Sequence, residues 1–548
     1  MLYRIQGWLW GLCIVLGLLC HEAVASPCSP RLWPAQFGGA ADAVVNKIEA
    51  QKWYNYKQQR SEEALAEAKN PKLLHTRYKL EYHDIASGCV SPNQLIDLGR
   101  AIFLRRFSRE EGYGHKLPNY PPRSRFQRGH FGGPDASACV DCHWKGGFAG
   151  SGDRVDNTYA FGDGNTLSTA EPRNPPALWG LGWVQIIAEE MSSELQSLRE
   201  EASQKVKKTQ KNLRVELLSK GINFGSITVQ PKGLIDYREL EGVDQDLVIK
   251  PFGWRGVFSS LREFVEVSAH KHLGLQSKRL VHAPYAEVEL GNGPANDPDQ
   301  DGILQELSEG QITALVVFLA TLDSPQIEIP THGLYQFPPK LGPLEFIDTP
   351  AFADRWQKGA LLFEQVGCAH CHRPLLPVSQ SVFKSAWFDI NSIKPQPHTS
   401  HTLEHLPTPT IIKPKGHYQL DLSQWAALPH PESKVTIHQG QKQVQWLVPV
   451  FSDFKRHRMG DALKGLYSER GVPSDTYMTR RLWGLRKTSP YLHHGGAITF
   501  EEAIKAHGGE GSEAEEAAEY YFSLNEDEKS SVRLFLSSLS RGPAIRIR

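Results

Sequence analysis

Cys139-Val140-Asp141-Cys142-His143 and Cys368-Ala369-His370-Cys371-His372 are two copies of one five-residue pattern, and its reading decides the fold. C-x-x-C-H is the pattern at which a c-type haem is attached. Two thiols add across the porphyrin vinyl groups, and the following His turns back to place its imidazole on the iron. With 8 Cys and 22 His in 548 residues, chance gives on the order of 0.005 such matches, and two occur. A redox C-x-x-C lacks the duplicated His, and a zinc site needs paired knuckles. Cys139, Cys142, Cys368 and Cys371 therefore read as attachment points for two covalent haems. His143 and His372 read as their proximal iron ligands.

The rest of the chain fits an exported protein. Arg4 precedes an apolar run, Trp8 to Cys20, and Ala23-Val24-Ala25 supplies a small-residue cleavage pattern. Residues 1–25 are expected to be a signal peptide, with a periplasmic protein beginning near Ser26. An uncleaved anchor is the alternative, and no later segment is apolar enough to span a bilayer. Export agrees with haem c, which is attached outside the cytoplasm. Cys13 and Cys20 leave with the signal, so Cys28 and Cys89 are either a disulfide or free thiols. The balance of 61 Lys+Arg against 61 Asp+Glu argues against nucleic acid, which needs a basic face.

An internal repeat supports the haem count. Leu307 to Phe318 and Leu524 to Phe535 each span a capped amphipathic helix, with Ser308 or Asn525 as the cap. Before the haem motifs stand Gly99-x-x-x-Phe103 and Gly359-x-x-x-Phe363. One helix leading into C-x-x-C-H and another closing the unit is the arrangement of a class I cytochrome c domain. The expected fold is mainly α, with two enlarged class I cytochrome c-like domains at 93–325 and 345–542. Residues 26–92 form an N-terminal helical segment. Long insertions are expected around 117–134, as a charged helical stretch at 188–220, and as an irregular His- and Pro-rich excursion at 379–445. Asp297-Pro298-Asp299-Gln300-Asp301-Gly302 has the oxygen spacing of a calcium (Ca2+) loop, but Ser308 stands where the twelfth-position Glu belongs. An acidic helix-entry loop is the alternative.

Several motifs resemble the bacterial di-haem cytochrome c peroxidase superfamily, in its branch of di-haem oxidoreductases, also called thiol oxidoreductase-like. They are Arg173-Asn174-Pro175-Pro176-Ala177-Leu178-Trp179-Gly180, Phe252-Gly253-Trp254, Met459-Gly460 and Arg481-Leu482-Trp483-Gly484-Leu485-Arg486. Pro490-Tyr491-Leu492-His493-His494-Gly495 and Glu501-Glu502-Ala503-Ile504-Lys505-Ala506-His507-Gly508-Gly509-Glu510 complete the set. The resemblance runs from about Gly99 to Leu539. It implies peroxide chemistry at the N-terminal haem and electron relay through the C-terminal haem. It also implies a small cytochrome, a cupredoxin or an organic substrate as electron donor.

The resemblance further implies that the far-side ligand of the C-terminal iron falls on His507, where peroxidases usually have Met. Met459 is the rival. Trp254 matches the tryptophan between the haems. The stretch Asn157–Gly164 lacks the distal His that peroxidases carry there, which implies an iron already open. His272 stands near the position of the family's distal acid and is a proton shuttle, an iron ligand or an ordinary surface His at a helix end. The alternatives are a di-haem electron carrier without peroxidase activity, a thiol or sulfur-compound oxidase, and an oxidase that modifies a partner.

Overall fold

The computed structural model describes residues 80–114, 126–127, 130–131, 136–161, 167–282, 297–304, 306–322, 350–388, 415–425, 434–438 and 441–539. The expected signal peptide, Cys28 and most of the segments 26–92 and 117–134 lie outside the described residues. No helix among the described residues is long and apolar enough to cross a membrane.

Helix α1 (Pro92–Leu104) begins with Pro92 in its first turn, and the Ser91 hydroxyl accepts from the Gln94 amide. That cap and the fixed φ of proline set the start of the helix. A long helix α2 (Leu181–Thr209) follows the first haem motif. Helix α3 (Glu309–Ala320) is capped by Ser308 and is buried along nearly its whole length. In the second half, α4 (Pro350–Gln365) leads into the second motif. Helix α5 (Phe500–His507) is capped by Thr499. Helix α6 (Glu526–Ser538), capped by Asn525, closes the unit with three acidic residues in its first turn.

The two halves repeat one packing. α1 crosses α3 where Gly99 meets the Ala314 carbonyl, and α4 crosses α6 where Gly359 meets the Ser531 carbonyl. A Cβ at either glycine would lie 2.0 Å from that oxygen. Phe103 packs on Phe318 at 5.6 Å between ring centroids, and Phe363 packs on Phe535 at 5.2 Å. Each of these phenylalanines also stands 6.5 Å from a motif histidine, Phe103 from His143 and Phe363 from His372. The glycines let two helix backbones touch, and that contact aims an aromatic ring at each haem motif. Gly359→Ala is therefore expected to destabilise the fold by about 1–3 kcal/mol, the usual cost of overpacking. A thermal or denaturant melt indistinguishable from wild type would contradict this crossing.

The expectation of a mainly α chain is corrected. Of the described residues 43% are helical and 18% are strand, and fourteen strands form six small sheets. Several of the sheets arise in or beside the insertions, while Thr158–Ala160 with Glu171–Arg173 and Arg456–Arg458 with Thr476–Met478 lie outside them. The charged helix stops at Thr209 instead of running to Lys220, because Gln210 takes a left-handed φ of 53°. The chain returns as an antiparallel hairpin, Leu213–Ser219 with Ile222–Val229. Alternating burial along Ile222–Val229 gives that hairpin an apolar face against α2. Lys220 folds back at the turn, with Nζ 2.7 Å from the Glu190 carboxylate.

The stretch 379–445, read as irregular, also contains strands. Val382–Trp387 pairs with Gly416–Asp421, and Gln441–Val448 pairs with Lys434–His438 and Leu376–Val378. Leu376, Val378, Phe383, Leu420 and Val448 join the same apolar core as Leu98 and Phe318. A second core holds Trp356, Phe363, Val532 and Phe535. The excursion is thus wall material for the first unit.

Candidate functional site

The first motif makes a short 3-10 turn, Cys139–Asp141. Asp141 is buried and its carboxylate accepts from the amides of Ser137 and Ala138, each at 3.2 Å, and from the Ser137 hydroxyl at 2.9 Å. Arg106 reaches its other oxygen at 3.2 Å. This residue, inside the motif but not part of its pattern, fixes the turn that presents His143.

The His143 ring is anchored by Nδ1, 3.0 Å from the Pro176 carbonyl and 3.3 Å from that of Gly150. A carbonyl only accepts, so Nδ1 carries the proton and Nε2 is left as a lone pair. His372 repeats the arrangement, with Nδ1 3.0 Å from the Phe451 carbonyl. Phe451 holds that carbonyl with a left-handed φ of 48°, a costly backbone for an aromatic residue. His507 places Nδ1 2.7 Å from the Ala503 carbonyl one turn back in α5. All three rings have the second-shell anchor expected of a metal-bound histidine.

Across the second centre the His372 and His507 rings face each other, with centroids 6.5 Å apart and planes at 53°. Metal–imidazole bonds of about 2 Å put two rings that share one metal at roughly 6 Å between centroids. The spacing fits one iron between them. Burial pushes His143 and His372 down to about 4, and it lowers His507 as well. Each is therefore the neutral imidazole that ligation needs.

The four motif thiols are free of disulfides. Burial pushes Cys139 up to about 12 and Cys368 up to about 11. A redox dithiol needs a depressed thiol instead, so these environments disfavour that chemistry. Cys89 is disulfide-bonded. Cys28, the partner that the sequence offers, lies outside the described residues.

Around His372 opens a cavity of about 550 Å³, lined by Cys368, Cys371, His507, Met459, Trp254 and Arg481 among others. Met459 is buried against Leu463 and Tyr477 in its wall, while the ring across from His372 is that of His507. Trp254 donates its indole N–H to the Asn174 carbonyl at 3.0 Å. Asn174 stands two residues before Pro176, which anchors His143. Trp254 thus links the wall of the second centre to the segment that holds the first. His272 lies in a π-turn, Ala269–Leu273, and is close enough to His143 to act on its ring electrostatically.

Sequence reasoning passed over several residues here. His457 lines the same cavity, with Nε2 2.9 Å from Asp453 and Nδ1 2.7 Å from Glu513. Burial opposes its charge, but hydrogen bonds to Asp453, Cys371 and Glu513 push it up to about 12. Tyr477 stacks on His493 at 4.4 Å, and Arg255 covers the other contact at 4.4 Å from the same ring. The only available signal for these residues was their nearness to quoted motifs.

The acidic loop brings its three aspartates together. The carboxylates of Asp297, Asp299 and Asp301 lie within 4.8 Å of one another. Burial, then the neighbouring carboxylates, push Asp299 up to about 7. Burial also pushes Asp301 up to about 6. Ser308, which stands where a calcium loop has its twelfth-position Glu, caps α3 as its sequence predicts. The carboxylate that faces the three aspartates is that of buried Glu306, raised well above its usual range by burial and by their charges.

No curated protein matches this chain. The span 434–539 contains Met459, Arg481, His493 and His507, and neither C-x-x-C-H motif. Residues 434–539 match the family model described as "Di-haem oxidoreductase, putative peroxidase", the family that the motifs resemble.

Proposed function

We propose that the chain is an exported, periplasmic di-haem c-type oxidoreductase that reduces hydrogen peroxide at the His143 centre, with electrons arriving through the His372 centre. The observation that carries this reading is the pair His372 and His507. Their anchored rings stand 6.5 Å apart beside two free cysteines. His372 and His507 together would hold an iron from both sides and leave no room for peroxide, which favours an electron-relay role for that centre and leaves the chemistry to the other. Cys139 and Cys142 would hold one haem, Cys368 and Cys371 the second. Haem bound at these positions supplies iron that changes oxidation state by single electrons and can take up peroxide.

The remaining steps belong to the protein's own side chains. Peroxide takes two electrons and two protons to become two waters, so a group near the first centre must carry a proton. His272 is placed to do so, because an imidazole can both take and give a proton and this one lies close enough to act on the His143 ring. Trp254 offers an aromatic stepping point between the centres, held by its bond to Asn174 and covered by Arg480 at 4.5 Å. The electron donor is proposed to be a small cytochrome, a cupredoxin or an organic molecule.

A second reading rests on the same His272. If its ring is an iron ligand, both centres are closed and the chain is an electron carrier. Thiol or sulfur-compound oxidation through a cysteine ligand has less support, because Cys89 is taken up in a disulfide. The test is steady-state oxidation of a reduced small cytochrome or cupredoxin by hydrogen peroxide. Turnover that disappears in a Cys139→Ser/Cys142→Ser variant is expected. Absence of turnover with every donor class, in protein carrying two haems, would overturn the peroxidase reading in favour of the carrier.

A further inference from the structure

Two adjacent, half-buried arginines in the wall of the cavity around His372 have no anion beside them among the described residues. Arg480 and Arg481 both line the cavity around His372. Arg481 Nε and Nη1 are buried and have no hydrogen-bond partner. Its one ring contact is with Trp483, at 5.4 Å. Arg480 donates from Nη1 to the Gly253 carbonyl at 3.2 Å and lies over Trp254. Neither pairs with a carboxylate among the described residues.

Burial disfavours both charges and lowers both groups, Arg480 to about 10, and Arg480's own charge adds to the effect on Arg481. A guanidinium nevertheless stays protonated in proteins. Two like charges side by side, with guanidinium nitrogens shut off from water, are unfavourable unless an anion meets them. The carboxylates nearby do not fill that role. Glu513 is bonded to His457 and to the Arg458 amide, Asp453 is bonded to His457, and Glu516 is exposed. Among the described residues no carboxylate meets the pair, and both arginines face the cavity, so its occupant is the natural source of the anion.

We propose that Arg480 and Arg481 are the anchor for the two propionate carboxylates of the haem at His372. The inference rests on the haem reading of that centre and extends it from thiols and imidazoles to the acidic edge of the porphyrin. Two adjacent guanidiniums match two carboxylates on one ligand, and Arg binds carboxylate through paired N–H groups. The two positive charges then also stabilise the reduced form of that centre relative to the oxidised form.

The test uses the full-length holoprotein with both haems attached. In wild type, the propionate-bending band in the resonance Raman spectrum of the His372 haem is expected at the position of a hydrogen-bonded carboxylate. Arg481→Met is expected to move that band and to shift the midpoint potential of that haem downwards. The His143 haem should keep its potential. Arg481→Lys keeps the charge, so it should move the band while leaving the potential near that of wild type. A wild-type band typical of a free, solvated carboxylate overturns the proposal without any variant. So does an Arg481→Met protein whose band and potential are both unchanged. Wild-type protein with no covalent haem at Cys368 and Cys371 would overturn the reading of the site itself, and this proposal with it.

Discussion

Replacing His507 by Ala is expected to abolish the low-spin signature of one haem and leave the other unaltered. His507 is the ring 6.5 Å across from His372, with Nδ1 committed to the Ala503 carbonyl and Nε2 left for iron. Removing it takes one of two axial nitrogens from that centre. Cys368 and Cys371 keep the haem attached, so the loss registers as a change of spin state and not as loss of haem. Optical and EPR spectra of His507→Ala against wild type read this directly. An unchanged C-terminal haem spectrum would assign the ligand to Met459, which lines the same cavity. A Met459→Leu variant should leave the low-spin signal in place. Thioether sulfur is an ordinary haem ligand, and it holds a higher potential than imidazole.

His272→Gln is expected to lower kcat/KM for peroxide by about 10²- to 10⁴-fold, the usual worth of a positioned acid–base group. The ground for this is its closeness to His143 in a turn that also receives the Ala136 amide through its own carbonyl, at 3.2 Å. Glutamine keeps hydrogen bonding but cannot shuttle a proton near neutrality. The spectrum of the His143 centre should not change, because a shuttle is not a ligand. If the substitution instead converts that centre from low spin to high spin, His272 is bound to iron. The chain would then be a carrier, and the proton-shuttle role would be lost with it.

Much of this architecture was legible at the level of motifs. The two C-x-x-C-H patterns and the Gly-x-x-x-Phe repeats carry their geometry locally. A helix crossing close enough to exclude a Cβ demands glycine at Gly99 and Gly359, and the phenylalanine one turn later then meets the motif histidine. Helix caps at Ser308 and Asn525 were equally readable, since a cap needs only its own next turn.

The shortest strands were not legible, for a physical reason. Strands such as Leu376–Val378 and Thr476–Met478 are three residues long, too short for a period-2 pattern to emerge. Their pairing partners are also distant in sequence, as with Leu376–Val378 and Trp446–Val448. The charged stretch after α2 misled because Lys220 belongs to a turn that folds back onto Glu190, a contact that helical periodicity cannot announce. Arg481 opens a motif that carries the family resemblance, but nothing in the sequence says what it or Arg480 faces. Only burial beside a cavity and the lack of a nearby carboxylate distinguish them.

The most direct test of the account is EPR and optical spectroscopy of the as-isolated holoprotein, followed by titration with hydrogen peroxide. The account predicts two covalent haems, one low-spin and bis-histidine, the other with an open position that reacts with peroxide. Two low-spin signals and no reaction with peroxide would contradict it.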